Sequence, residues 1–370
     1  MEETKTLVEY MEELKNFLKG EIKEELNVVV MPDFFLDRFI NLPWNVEATC
    51  ENVRGVAQRK GGSIDGIAQT DIRGGNSVNV ANALASLGVN VTPIICTDKF
   101  GFHLLKFYIK SKRVDFSHVK IMEKPSVTTA MEFQIGDGKV NVMLRDVGSL
   151  ADFGPQHLSD KDFSVIENAD YVCLFNWAGT RNFGTELAET VFRHVKTNGK
   201  GKTYYDTADP YPNKEKIPEL VKKVLMGKHI DILGVNENEA VCYASQISEK
   251  VDKFRESLRF DELAMESAKI LASQLSARID LHTTEFSATF TKNGETVVPA
   301  FKVPVLRATG AGDAWTAGNI LGDAYALSDA CRLALANAVA AYYISNPYGQ
   351  HPTRKQLMKF CEGLTAKAKT

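Results

Sequence analysis

The sequence predicts an α/β fold, a three-layer α/β/α sandwich with a small β-sheet beside it. From residue 27 onward, short runs of apolar and β-branched residues alternate with segments that carry apolar residues at helical spacing. Strands that are buried on both faces are continuous apolar runs, and their alternation with helices is typical of a mostly parallel sheet covered by helices. Two segments, residues 39–72 and 128–144, break this alternation and predict the separate sheet.

The first element is an amphipathic helix within residues 4–26. Its apolar residues recur every three or four positions among Glu and Lys: Leu7, Met11, Leu14, Leu18 and Ile22. This is the spacing of one helix face. We expect residues 1–26 to form a helical extension on the surface of the main domain, residues 27–370.

The strands and helices of the main domain follow in order. The candidate strands are six short apolar runs: 28–31, 91–96, 171–175, 203–205, 230–233 and 279–281. The candidate helices have apolar residues at i, i+3 and i+4 or are rich in Ala: 80–87, 185–195, 217–226, 263–275 and 327–344. This order predicts a sheet with helices on both faces.

The two segments that break the alternation differ from each other. Residues 39–72 are polar and Gly-rich and lack a helical period. Residues 128–144 alternate in polarity around Gly136-Asp137-Gly138, which is a hairpin signal. Two interpretations are open: a lid over a cleft, or an ordinary hairpin at a sheet edge.

Composition and charge exclude several classes of protein. Apolar residues make up 44% and charged residues 25% of the 370 residues, which is close to globular averages. The formal net charge of -3 predicts no nucleic-acid or anionic-membrane partner. The six cysteines are widely spaced, without a Cys-x-x-Cys pair, and predict reduced thiols. With no signal-peptide pattern and no apolar run of about 20 residues, we expect a cytoplasmic protein.

The most informative segment is the Gly-rich turn at residues 307–315, which joins an apolar run to a helical stretch. Gly310, Ala311 and Gly312 open this helix, where unpaired backbone N–H groups and the helix dipole favour a bound anion. Asp313 follows, where a general base would accept the proton of a hydroxyl that attacks a phosphoryl group. A plain capping role for Asp313 is the alternative. The sequence lacks the Gly-x-x-x-x-Gly-Lys-[Ser/Thr] motif, which disfavours a P-loop NTPase.

This turn and three other segments resemble the signatures of the ribokinase or PfkB family of carbohydrate kinases. The family's C-terminal signature is similar to residues 308–313 (Ala-Thr-Gly-Ala-Gly-Asp), and its N-terminal signature to residues 74–81 (Gly-Gly-Asn-Ser-Val-Asn-Val-Ala). Residues 33–37 look like its opening substrate loop, and residues 236–239 like its Asn-x-x-Glu motif. The resemblance covers most of residues 27–360 and implies a ribokinase-like sandwich whose small sheet is a lid.

On the acceptor side, the resemblance implies four substrate-binding residues: Asp37, Gly74, Gly75 and Asn79. Asp37 would accept hydrogen bonds from substrate hydroxyls, a task that suits an ionised carboxylate because it only accepts. The two glycines would permit a hinge and the close approach of a polyol. Asn79 lies three residues after Asn76 and shares its helix face.

On the donor side, the resemblance implies ATP and Mg²⁺. The residues expected to contact the nucleotide are Asn236, Glu239, Thr284, Ser287 and Thr309. Glu239 would hold the hydrated Mg²⁺ that bridges the phosphates, since Mg²⁺ keeps several waters and needs few protein carboxylates. Thr284 and Ser287 stand where the family commonly has glycines, so a nucleotide preference is not carried over.

One position departs from the family beside the anion-binding turn. Many relatives are activated by K⁺ or another monovalent cation, and the first Asp of their signature contributes to the cation site. Arg307 holds that position here, and a guanidinium cannot ligate a cation. We expect this form of the cation site to be absent, with Arg307 either polarising the turn from behind or pointing to solvent.

These residues together predict an ATP-dependent kinase that phosphorylates a hydroxyl of a sugar or sugar-like alcohol, with Asp313 as the base. Three alternatives are open. The first is a nucleoside kinase, and the second is an acidic-sugar (2-keto-3-deoxy sugar acid) kinase, which Arg73 and Arg145 near the lid favour. The third is a non-catalytic sugar sensor on the same fold. We also expect a homodimer formed through the lid.

Overall fold

The structure is a computed structural model that describes residues 7–20, 25–135 and 138–367. Its strands, in chain order, are β1 (Asn27–Met31), β2 (Phe35–Asn41), β3 (Ala68–Gly74), β4 (Asn90–Pro93), β5 (Cys96–Thr97), β6 (Lys120–Ile121), β7 (Ser126–Ile135), β8 (Gly138–Asp146), β9 (Tyr171–Phe175), β10 (Lys202–Asp206), β11 (Ile232–Val235), β12 (Arg278–His282), β13 (Phe286–Thr291) and β14 (Gly294–Pro299).

The helices, in chain order, are α1 (Leu7–Lys19), α2 (Val46–Gln58), α3 (Asn76–Ser86), α4 (Lys99–Tyr108), α5 (Asp160–Asn168), α6 (Gly184–Asn198), α7 (Ile217–Leu220), α8 (Glu237–Ile247), α9 (Lys250–Arg255), α10 (Phe260–Gln274), α11 (Ala311–Ala324), α12 (Asp329–Ile344) and α13 (Arg354–Lys367). Helix α7 continues as a π-helical segment, Val221–Leu225. In the part of the chain that the structure describes, no helix is both long and apolar enough to span a bilayer.

An eight-stranded sheet forms the middle layer, in the order β14-β13-β12-β11-β10-β9-β1-β4. All neighbouring strands are parallel except the pairs β12–β13 and β13–β14. Successive residues of a strand point to opposite faces. Thus Val29 and Met31 pack with α5, α6, α8 and α10, whereas Val28 and Val30 pack with α1, α3, α11, α12 and α13. The predicted three-layer α/β/α architecture is confirmed.

Two predicted strand boundaries need correction in this sheet, and one hairpin was missed. The run 91–96 is not one strand, because the chain leaves the main sheet after Pro93 and Cys96–Thr97 pairs instead with Lys120–Ile121. Strand β11 begins at Ile232, two residues later than expected. The antiparallel hairpin of β13 and β14 at the sheet edge was not predicted.

A second, four-stranded sheet lies in the order β3-β2-β7-β8. The predicted separate sheet is therefore present, and the hairpin strands β7 and β8 pair as expected around residues 136 and 137, which lie outside the described residues. The expectation that residues 39–72 lack a helix is wrong, since α2 lies within them. Asn45 caps α2 by accepting from the Ala48 N–H at 2.9 Å. No residue of α2 is buried.

Helix α1 belongs to the core and is more than a surface extension. Tyr10, Met11, Leu14 and Leu18 are buried in the same apolar cluster as α12 and α13. Glu13 accepts hydrogen bonds from the backbone N–H and the hydroxyl of Ser328, the cap of α12, at 3.0 and 2.7 Å. Within the predicted helix at residues 4–26, the structure shows the helix α1 at Leu7–Lys19.

Candidate active site

Polar residues collect at the carboxyl ends of the parallel strands, the edge where open α/β sheets bind their ligands. Asp33 follows β1, Asn176 follows β9, and Asp206 ends β10. Asn236 follows β11, and His282 ends β12. The beginnings of α3 and α11 reach the same edge, because Asn76 and Asp313 are hydrogen-bonded to each other.

Asp313 lies in the first turn of α11 with its carboxylate held by two amides. The Asn76 and Asn79 side chains each donate to one of its oxygens, Oδ1 and Oδ2, at 2.8 Å. The pKa of Asp313 is raised to about 7: burial raises it most, the two amides lower it, and the nearby carboxylates of Asp206 and Asp33 raise it. A carboxylate that ionises near neutral pH is suited to general-base chemistry.

The turn before Asp313 exposes backbone N–H groups. Gly310 has a φ of 87°, a left-handed conformation that glycine adopts without steric cost. Ala311 N–H donates to the Ala308 carbonyl at 3.1 Å. The N–H groups of Gly312 and Asp313 have no hydrogen-bond partner within the described chain. Two backbone amides of the turn, those of Gly312 and Asp313, are therefore free to donate to an anion.

The start of α3 is fixed by Asp33, which the sequence analysis did not single out from its loop. Its carboxylate accepts from the N–H groups of Asn76 and Ser77 at 2.8 and 2.9 Å. The Asn176 amide donates to the same carboxylate at 2.8 Å. Gly75 precedes the helix with a φ of 91°, and a Cβ there would lie 3.0 Å from Phe34 Cα. Asp33 thus orients the helix that presents Asn76 and Asn79 to the base.

Asp37 lies in β2 of the small sheet, against Gly74 of β3. A Cβ at Gly74 would lie 2.0 Å from Asp37 Oδ2, so only glycine leaves room for this carboxylate. Asp37 Oδ1 is buried and has no hydrogen-bond partner in the described residues. Burial raises the pKa of Asp37 to about 6, while a hydrogen bond from Thr128 and the charge of Arg145 lower it.

A cavity of about 370 Å³ adjoins the Gly-rich turn. Gly312 lies at its wall, together with Asn236 and Thr284 from two of the predicted nucleotide segments. The rest of the wall is largely apolar, with Phe301, Val305, Trp315, Ala340, Ala341 and Ile344 among its residues. Pockets of this size and character accept cofactor-sized ligands.

Glu239 is buried and fixed at the start of α8. It accepts from the backbone N–H and the side-chain amide of Asn236 at 2.9 and 2.8 Å. Burial and the neighbouring Asp206 carboxylate raise its pKa well above the ordinary range, and burial raises that of Asp206 to about 6. Among the described residues no cluster of three metal-ligating side chains occurs. Two buried carboxylates that repel each other nevertheless suit a hydrated Mg²⁺, which needs few protein ligands.

The sequence model of the pfkB family carbohydrate kinases matches residues 53–356 of this chain. The chain belongs to this family. The predicted carbohydrate kinase is thereby confirmed. Comparison with curated proteins finds no match.

Solved structures share the fold of this pfkB kinase over nearly their whole length. Ribokinase from Cryptococcus neoformans var. grubii serotype A, in complex with ADP, has a TM-score of 0.68 at 17% identity over 91% of this chain and 99% of its own. Arabidopsis thaliana ribokinase, complexed with ribose and ATP, has a TM-score of 0.66 at 18% identity over 92% and 99%. Methanocaldococcus jannaschii nucleoside kinase has a TM-score of 0.63 at 16% identity over 92% and 99%. These likenesses establish the fold.

Three residues predicted to bind the nucleotide do not line the cavity of the pfkB kinase: Glu239, Ser287 and Thr309. Ser287 is buried, and its hydroxyl accepts from Trp315 Nε1 at 2.8 Å and bonds Asn337. It therefore supports the wall from behind. Thr309 is half-buried in the turn and does not line the cavity. His282 does line it, and burial lowers its pKa to about 4, so the ring is neutral. The sequence analysis did not single out His282.

Arg307 of the pfkB kinase is half-buried behind the Gly-rich turn. Its Nη2 donates to the Pro347 carbonyl oxygen at 3.0 Å, and its guanidinium lies 5.9 Å from the Tyr343 ring centre. A Cβ at Gly349 would lie 2.1 Å from Arg307 Nη1. Tyr343 lies behind the anion-binding turn, since a Cβ at Gly310 would come within 2.8 Å of the Tyr343 hydroxyl. Of the two expectations for Arg307, the placement behind the turn agrees with the structure.

Proposed function

We propose that this kinase transfers the γ-phosphoryl group of ATP to a hydroxyl of a sugar or sugar-like alcohol, with Asp313 as the general base. One observation carries the proposal: the Asp313 carboxylate is held by Asn76 and Asn79, and the free amides of the α11 turn are those of Asp313 itself and of Gly312 before it. A base and an anion site so close together suit an attacking hydroxyl and a transferred phosphoryl group.

The acceptor would lie between the small sheet and Asp313. Asp37 offers an unpartnered carboxylate oxygen, and Gly74 and Gly75 bring the backbone close without side chains. Asn79 already donates to Asp313, so its contribution to acceptor binding would be shared with its positioning of the base. This arrangement fixes the acceptor hydroxyl at the carboxylate that removes its proton.

The donor would occupy the 370 Å³ cavity, with its phosphates at Gly312 and Asp313. ATP is the expected donor, which agrees with the ADP and ATP bound in the two ribokinases of the same fold. Mg²⁺ held by Glu239 and Asp206 would neutralise phosphate charge. Asn236 and Thr284 provide polar contacts at the cavity wall.

A release assay for ADP over pentoses, hexoses, sugar acids, inositols and nucleosides tests the proposal and separates the alternatives. A nucleoside kinase, an acidic-sugar kinase and a sugar kinase differ in the acceptor that stimulates release. A sensor would bind a sugar without releasing ADP, and it has no need of a base beside an anion site.

Replacement of Asp313 by Asn tests the base itself. We expect ATP binding to persist and turnover to fall by about 100-fold or more, the usual contribution of a positioned general base. Asp252→Asn, on an exposed carboxylate of α9, is the matched control and should not change turnover. Turnover of Asp313→Asn near that of the unmodified kinase would remove Asp313 from the mechanism.

Two further expectations concern the assembly and location of the kinase. Strand β8 forms one edge of the small sheet and exposes Val142, Met143 and Leu144. These residues support a homodimer through the lid, which sedimentation analysis would test. All six cysteines are free thiols, in agreement with the expected cytoplasmic location.

A further inference from the structure

Arg145, on β8 of the small sheet, lies on the same sheet face as Asp37. The strands β2 and β7 pair Asp37 with Thr128, and β7 and β8 pair Thr128 with Arg145. Residues that are paired across neighbouring strands point to the same face of a sheet. We call Asp37, Thr128 and Arg145 the Asp37 row. Arg73 does not belong to it, because β3 pairs Ile72 with Asp37 and the next residue points to the opposite face.

The guanidinium of Arg145 points back along this row toward β2. It lies 4.9 Å from the centre of the Phe35 ring, and Phe35 belongs to β2, two strands away from β8. Because neighbouring strands are about 4.8 Å apart, the side chain must extend across β7 to reach that ring. Phe35 is buried in the same apolar cluster as Met31 of β1. The face that Phe35 shares with Asp37 is therefore turned toward the main domain.

Arg145 forms no ion pair with a carboxylate of the residues that the structure describes. On the other face of the same sheet, by contrast, Arg38 binds both oxygens of Asp71 at 2.6 and 2.8 Å. Asp146 follows Arg145 in sequence but accepts from the Gly148 N–H at 2.9 Å. Arg145 is exposed and can be reached by a ligand.

Asp37 contributes a second open group to the row. Its Oδ1 is buried and has no hydrogen-bond partner within the described chain. The charge of Arg145 acts on this carboxylate and lowers its pKa, yet the two side chains do not form an ion pair. A cation without an anion and a carboxylate oxygen without a donor therefore face the same space.

The donor site does not account for the open cation. No residue of the small sheet lines the cavity assigned to the nucleotide, and the free amides of Gly312 and Asp313 already provide a site for the phosphoryl group. The row is instead connected to the base. Asp37 lies against Gly74, and two residues later Asn76 donates to Asp313.

We propose that Arg145 binds an anionic group of the acceptor, a carboxylate or a phosphate, while Asp37 binds a hydroxyl of the same molecule. The inference rests on the proposed function, because it names the class of acceptor for the same reaction. A guanidinium suits both oxyanions. An uncharged polyol would leave Arg145 without an anion, and a site built for a polar partner discriminates against a ligand that lacks it.

Matched acceptors that differ from one another only at a terminal carbon provide the test. Sorbitol, gluconate and the terminal phosphate ester of sorbitol share one carbon chain, and so do ribitol, ribonate and the terminal phosphate ester of ribitol. ADP release and equilibrium binding are measured with both sets. The proteins compared are the unmodified kinase, Arg145→Gln, Arg145→Lys and Arg38→Gln.

In the unmodified kinase, we expect a higher kcat/KM for a charged acceptor than for its polyol. Arg145→Gln should lower kcat/KM for the charged acceptor by about 10- to 100-fold, mostly through KM, as for a lost hydrogen bond to a charged group. The polyol should be affected far less. Arg145→Lys keeps the charge without the planar fork and should restore part of the loss. Arg38→Gln makes the same substitution on the opposite face and should change neither value.

The outcomes separate the anion subsite from the reaction. Preference for the aldonates assigns the anion as a carboxylate, and preference for the phosphate esters assigns it as a phosphate. An equal loss for charged and uncharged acceptors in Arg145→Gln would overturn the subsite, since Arg145 would then act only through Asp37. Asp313-dependent turnover of the polyols, with neither binding nor turnover of a charged acceptor, would also overturn the subsite and leave the kinase proposal standing.

The reverse result would overturn the reaction alone. Binding of a charged acceptor that needs Arg145, with no ADP release from any acceptor, would contradict the kinase proposal and leave the subsite. Thermal melts of each variant exclude misfolding as the cause of a loss.

Discussion

The protonation of Asp313 depends on a balance among its neighbours. Burial and the carboxylates of Asp206 and Asp33 raise its pKa, while the amides of Asn76 and Asn79 lower it, to a result of about 7. The carboxylate must be ionised to accept a proton, so activity is expected to rise as the pH increases through this value.

Removal of one amide should move this pH dependence. Asn76→Ala deletes a hydrogen bond to the ionised carboxylate, which raises the pKa of Asp313 and shifts the rising limb of kcat/KM to higher pH. We expect a shift of about 0.5 to 1 pH unit, since a hydrogen bond contributes about 1 kcal/mol. The measurement is kcat/KM from pH 5.5 to about 9, the range in which such a base titrates.

The same helix offers a control. Asn82 lies in α3 but is not among the amides that hold Asp313. Asn82→Ala should therefore leave the rising limb of the kcat/KM profile at the same pH. A limb that does not move in Asn76→Ala would mean that the profile reports a group other than Asp313.

Arg307 leads to a prediction about monovalent cations. Its guanidinium binds the Pro347 carbonyl behind the anion-binding turn, so a fixed positive charge is already present there. We expect nearly equal activity in sodium, potassium and tetramethylammonium salts at matched ionic strength. Arg307→Asp should lose activity or become dependent on a cation, since it removes this charge.

Lys302→Asp makes the same charge change on an exposed residue of the same connecting segment and should not create cation dependence. Strong activation of the unmodified kinase by potassium would show that Arg307 does not replace a cation at this turn.

At the scale of elements, the sequence predicted strands and helices best where burial imposes a regular spacing of apolar residues. The strands β1 and β9 lie within a residue of their predicted bounds because they are buried on both faces. Helix α2 was missed although Val46, Cys50, Val53 and Ala57 follow helical spacing along it. Glu239 carried a motif signal, yet its burial against Asp206 depends on strand neighbours that no local pattern contains.

The small sheet is expected to close over the acceptor. Its strands β2 and β3 carry Asp37 and Gly74, so bound acceptor would draw the sheet toward Asp313 and exclude water from the reaction. We expect amide hydrogen exchange in residues 39–72 and in the described parts of 128–144 to slow when an acceptor is added.

The central strands β9 and β10 serve as an internal control, because they are buried in either state and should keep their exchange rates. Unchanged exchange throughout the small sheet at saturating acceptor would identify it as static structure.

At the scale of the whole molecule, the three layers were predictable because alternating apolar runs and helices fix the fold class. The candidate site residues were predicted where a motif accompanied them, as the glycines do at Gly310 and Gly75 and the Asn-x-x-Glu motif does at Glu239. Asp33 and Asn176 carry no local signal, since each acquires its contacts from segments distant in sequence. The joining of α1 to the core is a further result of tertiary packing.

The attachment of α1 leads to a prediction for the stability of the whole chain. Leu14 is completely buried against the helices α12 and α13. Leu14→Ala should lower the free energy of unfolding by about 2 to 5 kcal/mol, as deletion of a buried leucine side chain usually does. Turnover below the unfolding temperature should be unchanged, because α1 contributes no side chain to the site. Urea unfolding measures the loss, with Val53→Ala on the exposed face of α2 as the control. A change within about 0.5 kcal/mol, typical of surface substitutions, would instead make α1 a detachable extension, as the sequence pattern alone had indicated.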